Sequence, residues 1–142
     1  MNTNAQQLKY CINKTVTAQA FIDLLKATSL GERRPIEDKK CMQGMLDNAN
    51  LTITAWSGQQ LIGIARCVCD FHYACYLSDL AVHQDYQNLG VGKHLQSLIL
   101  KQLEPTCKLI LLAAPAANAY YEKLGFTNNP RCWVITAGSD LS

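Results

Sequence analysis

The stretch of this 142-residue chain best equipped for chemistry is Gln87-Asn88-Leu89-Gly90-Val91-Gly92-Lys93. It follows the run Leu77-Ser78-Asp79-Leu80-Ala81-Val82. Beyond it Val91, Leu95, Leu98, Ile99 and Leu103 recur at helical spacing. A helix that starts at two close glycines presents free backbone N–H groups and the positive end of its dipole, which together make a site for an anion such as a phosphate ester. Glycine lets the backbone approach the phosphate without a Cβ in the way, and Lys93 adds a charge at the rim. Two nucleotide motifs fail here. A P-loop needs glycine where Gln87 stands and Ser or Thr where His94 stands, and a dinucleotide fingerprint needs a third glycine where Leu95 stands.

The elements that must hold this loop are legible on both sides. Leu8 to Ile12 alternates as a strand. Thr17 is an N-cap for a helix over about 18–28, carried by Ala20, Phe21, Leu24, Leu25 and Ala27. Gly31-Glu32-Arg33-Arg34-Pro35 reads as a loop, with Pro35 in the first turn of a second helix. The apolar face of that helix is Cys41, Met42, Met45, Leu46 and Ala49. Leu51 to Trp56, Leu61 to Phe71 and Tyr76 to Val82 predict an antiparallel meander, with Ser57-Gly58 as its first turn. Lys108 to Ala113 has the continuous apolar character of a buried, partly parallel strand. A short helix from Ala116 to Leu124 ends at Gly125, and Phe126 with Cys132 to Thr136 predicts a last strand or two.

Gln-x-x-Gly-x-Gly at this place resembles the acyl-coenzyme A pyrophosphate loop of the GNAT superfamily, the Gcn5-related N-acetyltransferases. Tyr86 just before the motif, the preceding strand ending Leu80-Ala81-Val82 and the later strand from Leu109 to Ala113 fit the same pattern. Tyr120-Tyr121-Glu122-Lys123-Leu124-Gly125-Phe126 is similar to that superfamily's aromatic-Tyr-Glu-Lys-x-Gly-Phe signature. The resemblance is close over roughly 73–128 and loose before it. It implies one α+β domain over 1–142: a mixed, mostly antiparallel sheet with its fourth and fifth strands parallel and splayed, and helices on both faces. It also implies acetyl-CoA as co-substrate. Gln87, Asn88, Leu89, Gly90, Val91, Gly92 and Lys93 would wrap the pyrophosphate, and Leu80, Ala81 and Val82 would lie along the pantetheine arm as a paired strand does. Tyr121 would protonate the thiolate that leaves when an amine attacks the thioester. Relatives carry an Asn at the position of Ala114, so Asn118 is offered only as a near substitute.

The base that relieves the attacking ammonium of its proton has several candidates. Polyamine-type relatives have a Glu where Ser78 stands. Asp79 is the neighbouring carboxylate, read either as a catalytic group or as a structural one bonded to a nearby side chain. Strand alternation points it to the face opposite Ser78. Glu32, Asp70 and His72 are the other candidates. Glu32, Arg33 and His72 are expected to line the acceptor site, where Glu32-Arg33-Arg34 could read a zwitterion or carboxylate. The run Cys67-Val68-Cys69-Asp70-Phe71-His72-Tyr73-Ala74-Cys75 invites a zinc reading. However, thiols two apart on an extended strand lie about 6.6 Å apart along it, against roughly 3.8 Å for two thiolates on one tetrahedral zinc. No metal is expected, and these thiols read as small core hydrophobes.

Composition agrees with this reading. The chain is 49% hydrophobic and 17% charged with a net charge of +2, a globular composition without the strong basicity of a nucleic-acid binder. The polar opening Met1 to Gln7 has no signal-peptide core, and no apolar run approaches the ~18 residues of a membrane span. A cytoplasmic protein with reduced thiols is the expectation. The short chain favours a small-molecule primary amine as acceptor. A protein or peptide N-acetyltransferase and a CoA-binding regulator without catalysis stay open as alternatives. Relatives are often dimers, but no residue here demands a homodimer.

Overall fold

A computed structural model describes residues 7–142; the polar opening through Gln6 lies outside the described residues. The chain divides into two compact units, one ending at Leu112 and the other spanning Ala113–Ser142.

The first unit is built on five strands: β1 (Leu8–Ile12), β2 (Leu51–Ser57), β3 (Gln60–Cys69), β4 (Ala74–Val82) and β5 (Lys108–Leu111). They lie in sequence order across one sheet. Pairings β1 to β4 are antiparallel, and β4 pairs with β5 in parallel. The expected meander and parallel crossover are both present. The crossover is made by helix α3 (Val91–Gln102), which covers one face of the sheet. Its Val91, Leu95 and Ile99 are buried with Leu51, Ile53, Ala65, Cys67 and Leu77. Gly63 of β3 makes this contact possible: a Cβ there would meet Ala55 Cβ and Val91 Cγ1 at 3.3 Å and Leu95 Cδ1 at 3.4 Å.

The other face is covered by α1 (Ala18–Lys26) and α2 (Lys39–Asn48), where Phe21, Leu24, Leu25 and Met42 are buried with Trp56, Ile64 and Ala81. Thr17 caps α1 by accepting from the Ala20 N–H at 3.1 Å, as its position predicts. Helix α2 starts later than expected. Asp38, not the turn at Pro35, supplies its N-cap by accepting from the Cys41 N–H at 3.0 Å, and a short 3-10 turn at Ser29–Arg33 fills part of the connection. Cys41, assigned to the apolar face, is exposed.

Two expectations about the chain's later part are corrected. β5 is an edge strand and not a buried one. Leu109 and Leu111 pack against the α3-side core, while Ile110 on the opposite face is 45% exposed. Cys132 to Thr136 forms no strand: Trp133 is 91% exposed and no ladder pairs the segment. A β-branched run is a strand only where an edge accepts it, because strand preference is chiefly a matter of packing and pairing. The second unit is organised by helix α4 (Asn118–Lys123). It ends in a Schellman cap: Gly125, at φ 98°, donates its N–H to Glu122 O, and Phe126 donates to Tyr121 O, both at 3.1 Å.

Filling the contact at Gly63 should be costly. Gly63→Val is expected to lower unfolding stability by about 1–3 kcal/mol through overpacking, read as a lower urea midpoint at unchanged slope.

Candidate acetyl-CoA and acceptor site

The site begins with a fault in the sheet. The register of β3 against β4 runs Arg66 to Asp79 and then Cys67 to Leu77, so Ser78 is an extra residue. This is a β-bulge, which bends the strand and leaves the inserted residue unpaired. The bulge overturns the alternation expected for Ser78 and Asp79, since both now meet Arg66. Its Nε donates to Asp79 Oδ2 at 2.5 Å and its Nη2 to Ser78 Oγ at 3.0 Å. The parallel pairing with β5 stops at Leu77 and Leu111, while β4 continues to Val82. From the bulge onward, the side of β4 that faced β5 has no strand partner among the described residues. The splay the motif implies is therefore built in, and it lies beside Leu80, Ala81 and Val82.

Past β4 the chain makes a short turn at Gln84–Tyr86 and enters the glycine loop. Gln87 donates from Nε2 to Val82 O at 3.1 Å, which ties the loop to the strand end. Asn88 has φ 64° and Gly90 φ 80°. Two left-handed residues so close together reverse the chain into α3. A Cβ on Gly90 would meet nothing within 4 Å, so glycine is needed there for its backbone angle and not for space. Gly90 is the N-cap of α3 with no side-chain cap bond. The first intrahelical N–H is that of His94, donating to Gly90 O at 3.0 Å. The amides of Val91, Gly92 and Lys93 are therefore the orphan donors of the helix start.

On the α1–α2 side, the loop holding Glu32 and Arg33 is fastened to the bulge by Arg34. Its Nε donates to Asp79 Oδ1 at 2.5 Å, its Nη2 to Ser78 O at 2.8 Å and its Nη1 to Arg33 O at 3.0 Å. Asp79 is buried with one guanidinium on each oxygen. The structure therefore brings Glu32, Arg33 and Asp79 to the bulge end of the unpaired β4 edge, and Gln87 to Lys93 to its other end.

It does not bring His72 there. His72 precedes β4, at the end of the strand away from the loop, where its carbonyl accepts from Thr106 Oγ1 at 2.6 Å. Asp70 serves the same hairpin. Its Oδ1 accepts from the N–H groups of His72, Tyr73 and Ala74, and these bonds hold its carboxyl below the usual range. Of the nearby thiols, Cys69 stands opposite Cys75 in the ladder. Burial pushes Cys69 up to about 11, and the neighbouring Cys67 together with burial raises Cys75 further. These are protonated packing groups. Cys41 and Cys132 are exposed and fall outside that account.

In the second unit Tyr121 lies on α4, its ring edge-on to Tyr120 at 5.1 Å and to Phe126 at 5.4 Å. Burial, and secondarily Tyr120, raises its hydroxyl above the ordinary 10.0. Asn118 is the first residue of that helix.

Residues 26–132 match the model of the acetyltransferase (GNAT) domain. The chain belongs to the GNAT acetyltransferase family. It is 34% identical over 105 residues to an uncharacterized N-acetyltransferase, ycf52-like, of Prochlorococcus marinus, a match covering 70% of this chain and 57% of that protein. An uncharacterized N-acetyltransferase ycf52 of the alga Gracilaria tenuistipitata is also 34% identical, over 69% of this chain and 56% of that one. The chain thus spans a little over half the length of these relatives. Among solved structures, a Staphylococcus aureus protein of unknown function has a TM-score of 0.74 at 22% identity, covering 91% of this chain and 97% of that chain. A Brucella melitensis ribosomal-protein-alanine N-acetyltransferase has a TM-score of 0.68 at 19% identity, over 91% and 98% of the two chains. These likenesses establish the fold.

The sequence reading missed Arg66, and it took Arg34 within the Glu32-Arg33-Arg34 run that could read a zwitterion or carboxylate without seeing its tie to Asp79. The signal for Arg66 was there, as a lone cation inside the apolar run from Leu61 to Val68. Removing the charge that both arginines share leaves them buried and unbalanced. Asp79→Asn should cost about 3–5 kcal/mol of stability, measured by chemical denaturation.

Proposed function

We propose that this GNAT chain transfers an acetyl group from acetyl-CoA to a primary amine of a small molecule, by direct attack within a ternary complex. The observation that carries the reading is the continuous backbone surface in the first unit. It comprises the β4 edge freed at the bulge, the left-handed turn at Asn88 and Gly90, and the uncapped start of α3.

Acetyl-CoA fits the chemistry of this surface. The amides of Val91, Gly92 and Lys93 suit its pyrophosphate, and the backbone of Leu80 and Val82 suits the amides of its pantetheine arm. Bound there, it supplies an acyl group activated as a thioester. Gln87 holds the loop to the strand. Lys93 adds a cation at the rim, and Asn118 is kept as a minor contact. Tyr121 is assigned to hold a proton for the departing sulfur. Its hydroxyl, raised above the ordinary 10.0 by burial, stays protonated and able to donate through neutral pH. With both oxygens committed to arginines, Asp79 is read as an organiser of the bulge and not as the base. Glu32 and Arg33, anchored next to it, are assigned to the acceptor wall. Among the described residues no helix is long and apolar enough to cross a membrane, which fits the cytoplasmic setting proposed for a small-molecule acetyltransferase.

Incubation with acetyl-CoA and a panel of amines should release free thiol, read colorimetrically, and a panel without release would overturn the reading. Gly92→Trp should abolish acetyl-CoA binding in a calorimetric titration. Tyr121→Phe should lower kcat by roughly 10²–10⁴-fold. Because a general acid works while protonated, the wild-type kcat should fall only as pH rises past the ordinary tyrosine value of 10.0, and the Phe variant should lack that alkaline limb.

A further inference from the structure

The cluster at the bulge is not neutral. Arg34 and Arg66 share the single carboxylate of Asp79, and guanidinium does not deprotonate in proteins. The group therefore carries one positive charge in excess. Side-chain exposure shows where that charge emerges: Asp79 is 0% exposed, Arg66 7% and Arg34 23%. Arg66 also gives its Nη1 to Met45 O at 3.0 Å. Met45 belongs to the last turn of α2, where free carbonyls and the negative end of the helix dipole partly offset a cation. Arg34 has only neutral carbonyls besides Asp79. Of its five N–H groups, three are used, on Asp79, Ser78 O and Arg33 O, which leaves one on each terminal nitrogen. Glu32 and Arg33, the charged neighbours on the same turn, are exposed and form no ion pair among the described residues.

The open edge of Arg34 thus lies beside Ser78, at the end of the freed β4 edge opposite the pyrophosphate loop. A cofactor arm laid along Leu80 to Val82 from that loop points its acyl end at the bulge. We infer that Arg34 binds a carboxylate on the acceptor, so that the acceptor is a small amino acid or amino-acid-like amine. This rests on the proposed acetyl transfer and narrows its substrate class. A carboxylate arriving there completes a paired set of two cations and two anions. The one remaining N–H on each terminal nitrogen of the guanidinium can take one of its oxygens.

The test uses the full chain with ω-amino acids of increasing spacer length, each against its own carboxamide. For the spacer that fits, kcat/KM should favour the carboxylate at least tenfold. Arg34→Gln should bring that ratio to near one, and Arg34→Lys should hold it between the two. The ratio cancels losses common to both acceptors, so general damage from a loosened loop does not imitate the effect. On the wild type alone, propionate should compete with an amino-acid acceptor while propionamide does not. Equal turnover of both members of every pair, or a preference unchanged in Arg34→Gln, overturns the inference and leaves acetyl transfer standing. Failure of the wild type to bind acetyl-CoA overturns both.

Discussion

The buried carboxylate of Asp79 is the contact on which the rest of the first unit's site depends. One oxygen takes Arg66 from the adjacent strand, and the other takes Arg34 from the connection between the first two helices. Through Arg66 the carboxylate also reaches α2 at Met45. A single side chain, with its arginine partners, thus joins β3, β4, α2 and the connection between the first two helices at the break in the β3–β4 ladder. The bulge at Ser78 would otherwise be a weak point. An extra residue leaves unpaired backbone groups and freedom to slip register. Here the Ser78 carbonyl is taken by Arg34 and its hydroxyl by Arg66, which fixes the bulge in one register.

Such an arrangement is a poor source of net stability. Removing three charged groups from water costs several kcal/mol each, and an apolar cluster of equal volume often does as well or better. An apolar cluster could not fix direction, however. Guanidinium forks bind carboxylate and carbonyl at set angles. That directional demand holds the loop of Glu32 and Arg33 against the bulge. The unpaired strand edge next to it begins where β5 ends, at Leu111.

Much of this was legible in the sequence, for identifiable reasons. The strand, helix and meander periodicities come from burial patterns that repeat every two or 3.6 residues, and the glycine loop announces itself through Gly90, whose left-handed backbone nearly excludes other residues. The bulge was not legible. Whether Ser78 or its neighbour drops out of the ladder depends on partners distant in the chain, Arg34 and Arg66, and strand alternation applied without it sends Asp79 to the wrong face. The last strand failed for a related reason. Trp133, Val134 and Ile135 have the right side chains, but side-chain preference alone does not make a strand, and no ladder takes them up. β5 likewise looked buried because its run is apolar on both faces, although helices cover it on one face only.

The net charge of +2 is a poor guide to where anions would bind. At the proposed pyrophosphate loop the attraction would come from amides with no formal charge, so the composition does not register it. At the bulge it comes from an imbalance of one charge, which the total hides among exposed lysines and carboxylates. The two sites differ in consequence. Exposed charges are screened by salt over about a Debye length, whereas buried groups are screened much less. The Arg66–Asp79 pair, at 7% and 0% side-chain exposure, therefore holds at ionic strengths that weaken pairs among surface lysines and carboxylates. The chemistry proposed for the first unit rests on the few dipoles and charges that the bulge and the glycine turn hold in place.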